Sequence, residues 1–338
     1  MKIEIISFTD TGFELGKRLK KVLCGLGYIC GVSCAHNNEK LNVRDWTSRT
    51  FATADALVFI GAAGIAVRSV APHVKTKISD PAVIVIDEKA NFVIPLLSGH
   101  IGGANELARA IARETASIPV ITTATDVNNV FAIDEWAARH GLVIDNPERI
   151  KWISARLLAG ETIKLRSDFA IEGKLPKGIE LSENNEYDVV ITIKSKGKQK
   201  ALRLIPRVLA VGVGCKKETS EQTITDAYLM VLAKGSINPK AVREICSIDI
   251  KAREQGILDF CETQKLPYRT FGVKALSETK GNFTASAFVQ KVTGVDNVCE
   301  RSAVAATGGR LLIKKNAGNG VTMAVSIPDI TMKFEEKL

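Results

Sequence analysis

The run ALVFIG (residues 56–61) is apolar at every position and has the length of a strand. A strand with one wet face alternates apolar and polar residues. An unbroken run is what a parallel sheet covered by helices on both faces demands. The opening KIEIISF and the later AVIVID read the same way. Helical spacing follows the first of them, with Phe13, Leu15, Leu19, Val22 and Leu23 on one face. The chain therefore reads as α/β rather than as a β-sandwich. Aromatic residues make up only 6% of it, and Ala, Val and Ile carry most of the apolar content, which agrees.

At roughly 100–200 residues per domain, two or three domains are expected in 338 residues. Strands and helices alternate over the first 140: YICGVS, ALVFIG, a helix AAGIAVRSVAP stopped by Pro72, and AVIVID with NFVIPL close enough for a hairpin. Then come the helix GANELARAIARETA, the strand PVITTATD and the helix VFAIDEWAARHG, ending at Gly141. This predicts an open, parallel-rich α/β domain over residues 1–140. Residues 141–206 change character: one helix, NPERIKWISARLLAG, then the short strands ETIKLRS, YDVVITI and ALRLIP between Lys/Gly/Asn-rich turns, a small α+β linking domain. An α/β rhythm returns over residues 207–334, with the strand VLAVGVGC and a helix whose capping box is expected in Thr219 and Gln222. RLLIKKN and VTMAVSIP pair around the hairpin signal AGNG.

The chain opens on a strand rather than a basic-then-apolar leader, and no apolar run approaches the ~20 residues of a membrane span. A cytoplasmic protein with no membrane partner is expected. Seven cysteines, an odd number spread through the chain, fit a reducing compartment. Cys24, Cys30, Cys34 and His36 contain no CxxC pair and read as small buried residues, not as a metal site. The net charge of +9 favours an acidic partner. The basic residues are scattered, and the densest run, KSKGKQKALRLIPR (194–207), has no interleaved aromatic and reads as a solvated hairpin. A small polyacid suits this pattern better than nucleic acid.

Ligands of open α/β sheets bind beyond the carboxyl ends of strands, and three polar strand exits stand out. In FIGAAGIAVR, Gly61 and Gly64 form a strand-to-helix turn without the third glycine of a dinucleotide fingerprint; Arg68, and Lys77 beyond it, could clamp carboxylates. In TTATD, Thr122, Thr123 and Asp126 could hydrogen-bond a polar ligand, or Asp126 could cap the next helix. The most unusual stretch is SGHIGGANELA, with Ser98, Gly99, His100, Gly102, Gly103, Asn105 and Glu106. Its glycines make sense if backbone approaches a ligand closely, with the N–H groups of residues 102–104 facing an anion or a developing oxyanion. His100 would titrate near neutral pH. A third glycine turn, VGVGCKKE, places Gly212 and Gly214 before Lys216 and Lys217 at a helix start, an anion cradle. No G-x-S-x-G elbow or Ser/His/Asp order supports covalent serine hydrolysis.

Several of these segments resemble one family. LVFIGAAGIAVRSVAPHVKTKISDPAVIVIDE, VIPLLSGHIGGANELA and PVITTATD are similar to the N-terminal region of the cobalt-precorrin 5A hydrolases (CbiG) of anaerobic cobalamin biosynthesis. LAVGVGCKKET and VDNVCERSAVAATGGRLLIKK resemble that family's C-terminal domain; Lys216 and Lys217 stand where arginine is expected. The resemblance implies a small-molecule substrate, a cobalt-containing polycarboxylate tetrapyrrole with a δ-lactone between the ring A acetate and C20. Water opens the lactone, C20 and its methyl leave as acetaldehyde, and cobalt-precorrin 5B remains. Cobalt travels with the substrate, so no further cofactor or protein-bound metal is implied. Within this frame His100 is the first candidate general base, with Glu106 as competitor and an axial cobalt contact as another role for His100. Arg68, Lys77, Lys216 and Lys217 are candidate carboxylate clamps. A non-catalytic tetrapyrrole carrier and a nucleotide- or sugar-phosphate-binding enzyme are the alternatives, and a homodimer is left open.

Overall fold

A computed structural model of the chain describes residues 1–36, 41–76, 79–100, 102–184, 186–195 and 200–334. It divides into two compact units, Met1–Ala138 and Arg139–Leu338. The first runs β1 (Lys2–Ser7), α1 (Asp10–Gly25), β2 (Ile29–Cys34), α2 (Val43–Thr53), β3 (Ala56–Ile60), α3 (Ala63–Val70), β4 (Ala82–Ile86), β5 (Phe92–Leu97), α4 (Ala104–Thr115), β6 (Ile118–Pro119), α5 (Ala124–Val127) and α6 (Ile133–Arg139). The strands form one sheet in the order β2-β1-β3-β4-β5-β6. The unbroken apolar runs are explained by its two covered faces. Ile3, Ile5, Val58 and Ile84 pack with Leu15 and Leu19 of α1 and Leu107 and Ile111 of α4. Their neighbours Ile6, Leu57, Phe59, Val83 and Val85 pack with Trp46 of α2 and Ala66 and Val70 of α3. Alternate residues of each strand thus face opposite helix layers.

Strand direction decides where the polar exits lie. β1 to β4 are parallel, but β5 returns antiparallel on β4, pairing Val93 with Ile86 and Leu97 with Val83. The Gly61 turn therefore leaves at the carboxyl edge of the parallel strands, and Ser98 and His100 at the opposite edge, beside the start of β4. There Ser98 Oγ donates to Asp80 O at 2.8 Å. A five-residue strand separates the two exits by about 17 Å. β6 pairs parallel with β5 and so shares the edge of His100. The expected strand PVITTATD shrinks to two residues: Pro119 lacks an N–H and can only sit at an edge, and α5 starts at Ala124.

The second unit holds β7 (Leu142–Ile144), α7 (Ile150–Leu158), β8 (Ile163–Ser167), β9 (Ala170–Gly173), β10 (Ile179–Leu181), β11 (Val189–Ile191) and β12 (Leu202–Pro206), then β13 (Leu209–Cys215), α8 (Glu221–Gly235), β14 (Val242–Ile248), α9 (Gln255–Gln264), β15 (Tyr268–Phe271), α10 (Val273–Glu278), α11 (Ala287–Thr293), α12 (Cys299–Thr307), β16 (Arg310–Gly318), β17 (Val321–Ile327) and β18 (Thr331–Phe334). One sheet runs β10-β8-β11-β12-β7 and the next β15-β14-β13-β17-β16. In the latter, α8 and α9 cover one face through Ile224, Tyr228, Ile257 and Phe260. On the other face, a Cβ on Gly212 would lie 1.8 Å from Cys299 O, so α12 rests directly on the backbone of β13. β16 and β17 form the expected hairpin. β18 pairs with β9, bringing the last strand back to the middle region. The cap of α8 is Ser220, not Thr219: Ser220 Oγ accepts from Thr223 N at 3.3 Å, and Thr219 Oγ1 donates instead to Lys216 O at 2.8 Å. Helices α10 and α11 escape sequence reading because Leu276 is the only residue they bury between them. No described helix is long and apolar enough to cross a membrane.

Candidate functional site

Around His100 the first unit assembles a compact ionic cluster. The imidazole has 16% of its side chain exposed and lies between two buried carboxylates: Nε2 is 3.2 Å from Asp126 Oδ2, and Nδ1 is 3.3 Å from Asp134 Oδ2. Thr125 Oγ1 is 3.1 Å from Nε2. Asp126 also accepts from Asn105 Nδ2 at 2.9 Å and from Arg109 Nη2 at 2.5 Å, while Asn105 Nδ2 donates to Thr123 Oγ1 at 3.0 Å. The hydrogen bond to Asp134 raises the imidazole pKa above 6.5, against an opposing push from burial, and Asp126 adds to the rise. Burial alone would raise both carboxylates; Arg109 and His100 hold Asp126 below 3.8, and His100 does the same for Asp134. The site is thus an imidazole held between two carboxylates that favour its protonated form, with the Arg109 guanidinium on Asp126.

This geometry corrects the reading of the glycines. Gly103 N donates to His100 O at 2.9 Å and Ala104 N to Ser98 O at 3.1 Å, so two of the three amides expected to face a ligand close the turn on itself. Gly103 adopts φ +79°, and a Cβ on Gly102 would lie 2.3 Å from Ser98 Cβ. Gly99 touches the Asn105 amide in the same way. Both ring nitrogens of His100 lie against carboxylate oxygens, so as placed the ring ties the turn to Asp126 and Asp134. Asp126 is no helix cap: Thr123 occupies that position before α5, and the Asp126 side chain turns to His100. Thr122 is exposed, as is Glu106, on the outer side of α4.

Within the first unit, the Gly61 turn lies at the sheet edge opposite this cluster. At the carboxyl edge, the Phe8 ring packs over Gly61, and exposed Arg68 folds back so that Nη1 donates to Gly64 O at 3.2 Å. Lys77 lies outside the described residues, as do residues 196–199 of the basic run. Cys30 and Cys34 are buried, but Cys24, expected to be buried, is exposed at the end of α1. In the second unit Lys216 and Lys217 are exposed beyond β13. Their cradle already holds an anion: the Glu254 carboxylate accepts from Glu218 N at 2.7 Å and from Lys251 Nζ at 2.6 Å. Burial would raise its pKa, and Lys251 with the loop amides pulls it below 4.5. Gly212 and Gly214 serve packing, against Cys299 O and Thr322 Oγ1 respectively, rather than ligand approach.

Sequence reasoning missed Arg109 and Asp134. Arg109 had a signal: it follows Asn105 by four on a helix and shares its face. Asp134, 34 residues from His100, has no local signal; only the packing of α6 brings it near.

The chain is a two-unit α/β protein whose glycine-rich turn is locked by buried charges, and the comparisons with known proteins say which. Three family models match in order: Cobalamin synthesis G N-terminal over residues 45–126, Cobalamin biosynthesis central region over 131–206, and Cobalamin synthesis G C-terminus over 209–326. A cobalt-precorrin-5A hydrolase from Salmonella typhimurium is 33% identical, covering 96% of this chain and 97% of that one. One from Priestia megaterium is 32% identical, covering 96% and 94%. Among solved structures, a cobalamin biosynthesis protein G homolog from Sulfolobus solfataricus is 26% identical, with a TM-score of 0.43 over 96% of this chain and 97% of that one. The chain belongs to the cobalt-precorrin-5A hydrolase family.

Proposed function

We propose that this enzyme hydrolyses the ring A δ-lactone of cobalt-precorrin 5A and releases C20 with its methyl as acetaldehyde, giving cobalt-precorrin 5B. Supporting this are full-length relatives of that name. One structural observation carries it into this molecule: SGHIGGAN and TTATD, two of the segments that carry the resemblance, fold together through His100, Asn105, Thr123 and Asp126. Water adds to the lactone carbonyl and its oxygen ends in the ring A carboxylate. The C20 alkoxide released then collapses to an aldehyde. The electron pair of the broken carbon–carbon bond enters the conjugated macrocycle, which travels with its cobalt as substrate, so the protein supplies no cofactor.

In this reading His100 is a positioning residue that holds the turn through two carboxylates. The base role passes to Glu106, which is exposed on α4 three residues before Arg109. Exposed Arg68, Lys216 and Lys217 are candidate contacts for the substrate's carboxylates. The test is incubation of the purified chain with cobalt-precorrin 5A, with mass analysis of the product and an aldehyde assay. Acetaldehyde in equal amount to product is expected. Binding of the tetrapyrrole with no acetaldehyde would make the chain a carrier and sink the proposal. Glu106→Gln should lower release about 10²-fold or more with substrate binding intact; wild-type release would remove Glu106 as base.

A further inference from the structure

The second unit carries an open cleft of about 360 Å³ that no step above uses. It lies at the start of the parallel strands of its sheet: Arg207 precedes β13, Val242 opens β14, and Leu266 precedes β15. Lys216 and Lys217 sit beyond the other end of β13, about 23 Å away along a seven-residue strand. The volume is at the small end of ligand pockets, which run from about 300 to 1,000 Å³.

Its chemistry is one-sided. Val143, Val242 and Leu266 make an apolar wall, and no acidic side chain lines the cleft. Arg207 uses Nε on Val242 O at 3.2 Å and has no carboxylate partner among the described residues. Lys265 is exposed in the left-handed position that ends α9, φ +54°, again without an acidic partner among the described residues. Lys240, also lining it, is paired with Asp145 Oδ1 at 2.9 Å. Two positive charges are therefore left uncompensated beside an apolar surface.

Tyr228 adds an independent observation. The residue is 2% exposed and its ring stacks edge-on against Phe260 at 5.1 Å, so its position is fixed. It lines the cleft, and its hydroxyl, which bonds no described residue, is open to the cleft. Burial pushes its pKa up to about 12, so the group stays a neutral donor. Two cations without an acidic partner among the described residues, one phenol donor open to the cleft and an apolar wall suit an anion with an apolar body.

We propose that this cleft binds a small organic carboxylate, with its apolar part on Val143, Val242 and Leu266 and its charge between Arg207, Lys265 and the Tyr228 hydroxyl. The site is independent of the hydrolytic reading, and its test needs no tetrapyrrole. Benzoate titrated into the full chain by calorimetry should bind once, saturably, with a Kd of about 1 mM or tighter. Benzyl alcohol, which lacks the charge, and inorganic phosphate, which lacks the apolar body, should each bind at least about tenfold more weakly. Arg207→Gln and Lys265→Gln, both at exposed positions, should each weaken benzoate about tenfold, and Tyr228→Phe about threefold to tenfold. The proposal is overturned if wild type shows no saturable benzoate binding, if both glutamine variants bind it as wild type does, or if phosphate binds as tightly as benzoate.

Discussion

At His100 a strand ends, glycines follow and a helix begins; at Lys216 the glycines lie inside the strand, and a helix begins a few residues after it ends. In the first turn two amides bond to the turn's own carbonyls, and the side chains hold an imidazole between two carboxylates. In the second, the buried carboxylate of Glu254 takes a loop amide, and the two lysines are left in solvent. In both turns glycines pack closely against the fold's own atoms. The difference lies in where charge is buried, and that is what separates a turn held rigid by its own side chains from one that offers its charges outward.

The comparison breaks first at Asp134. Its carboxylate is 3% exposed and faces His100. Removing it leaves His100 with Asp126 alone and breaks one charge-assisted hydrogen bond, at a cost of about 1–3 kcal/mol. Asp134→Ala should lower the unfolding free energy by that amount, read by denaturant titration of the first unit's signal, and acetaldehyde release should fall with it. A loss under about 1 kcal/mol would show that the cluster does not hold the turn. Next comes Gly212→Ala, about 1–3 kcal/mol of destabilisation from overpacking against α12. An unchanged thermal midpoint would return Gly212 to the role of a ligand-facing glycine.

The same contrast appears in pH. His100 has a folded pKa above 6.5, so its contribution is complete below about pH 6.5 and is lost as pH rises through the higher folded value. The loss is bounded by about 1.4 kcal/mol per pH unit for one proton. Asp126 and Asp134 act at the other end: their contribution is present above about 3.8 and is lost as pH falls through their lower folded values. Hydrogen-exchange protection of α4, corrected for intrinsic rates, should therefore decline from pH 6.5 upward in wild type and stay level in His100→Gln. The Lys216 turn should show no such decline, since the Glu254 contribution is lost only below about 4.5. Glu254→Gln should cost about 1–2 kcal/mol and loosen residues 216–220.

Much of the architecture could be read from the sequence because it is written in local patterns. The unbroken runs at 56–60 and 82–86 meet helices on both faces, as their composition demands. The hairpin between β4 and β5 was legible as well, but its consequence was not: one reversed strand moves His100 to the edge opposite Gly61, and strand direction is a property of pairing, not of residues. The motif SGHIGGAN could be singled out because glycines at a helix start are costly. Why they are there could not be, because the atoms they avoid, such as Ser98 Cβ and Asn105 Oδ1, meet them only after the turn closes. Asp134 was invisible for the same reason. Charge is hardest to read where burial pairs it: Lys216 and Lys217 are exposed, and the anion cradle expected around them is taken by Glu254.

The smallest effect tests that last distinction. Lys216 and Lys217 are exposed and have no acidic partner among the described residues. Exposed charges without partners contribute within about 0.5 kcal/mol to stability, so Lys216→Ala with Lys217→Ala should leave the thermal midpoint essentially unchanged. If they hold substrate carboxylates in water, each contact is worth about 0.2–1 kcal/mol. The pair should then raise KM for the tetrapyrrole by about twofold to twentyfold, with kcat preserved and the effect shrinking as salt is added, because screening weakens exposed pairs first. A KM unchanged at low salt would mean that this turn, like the one at His100, serves only its own fold. A fall in kcat at constant KM would place the lysines at the reacting atoms, and the contrast between an inward-facing and an outward-facing turn would have to be redrawn around them.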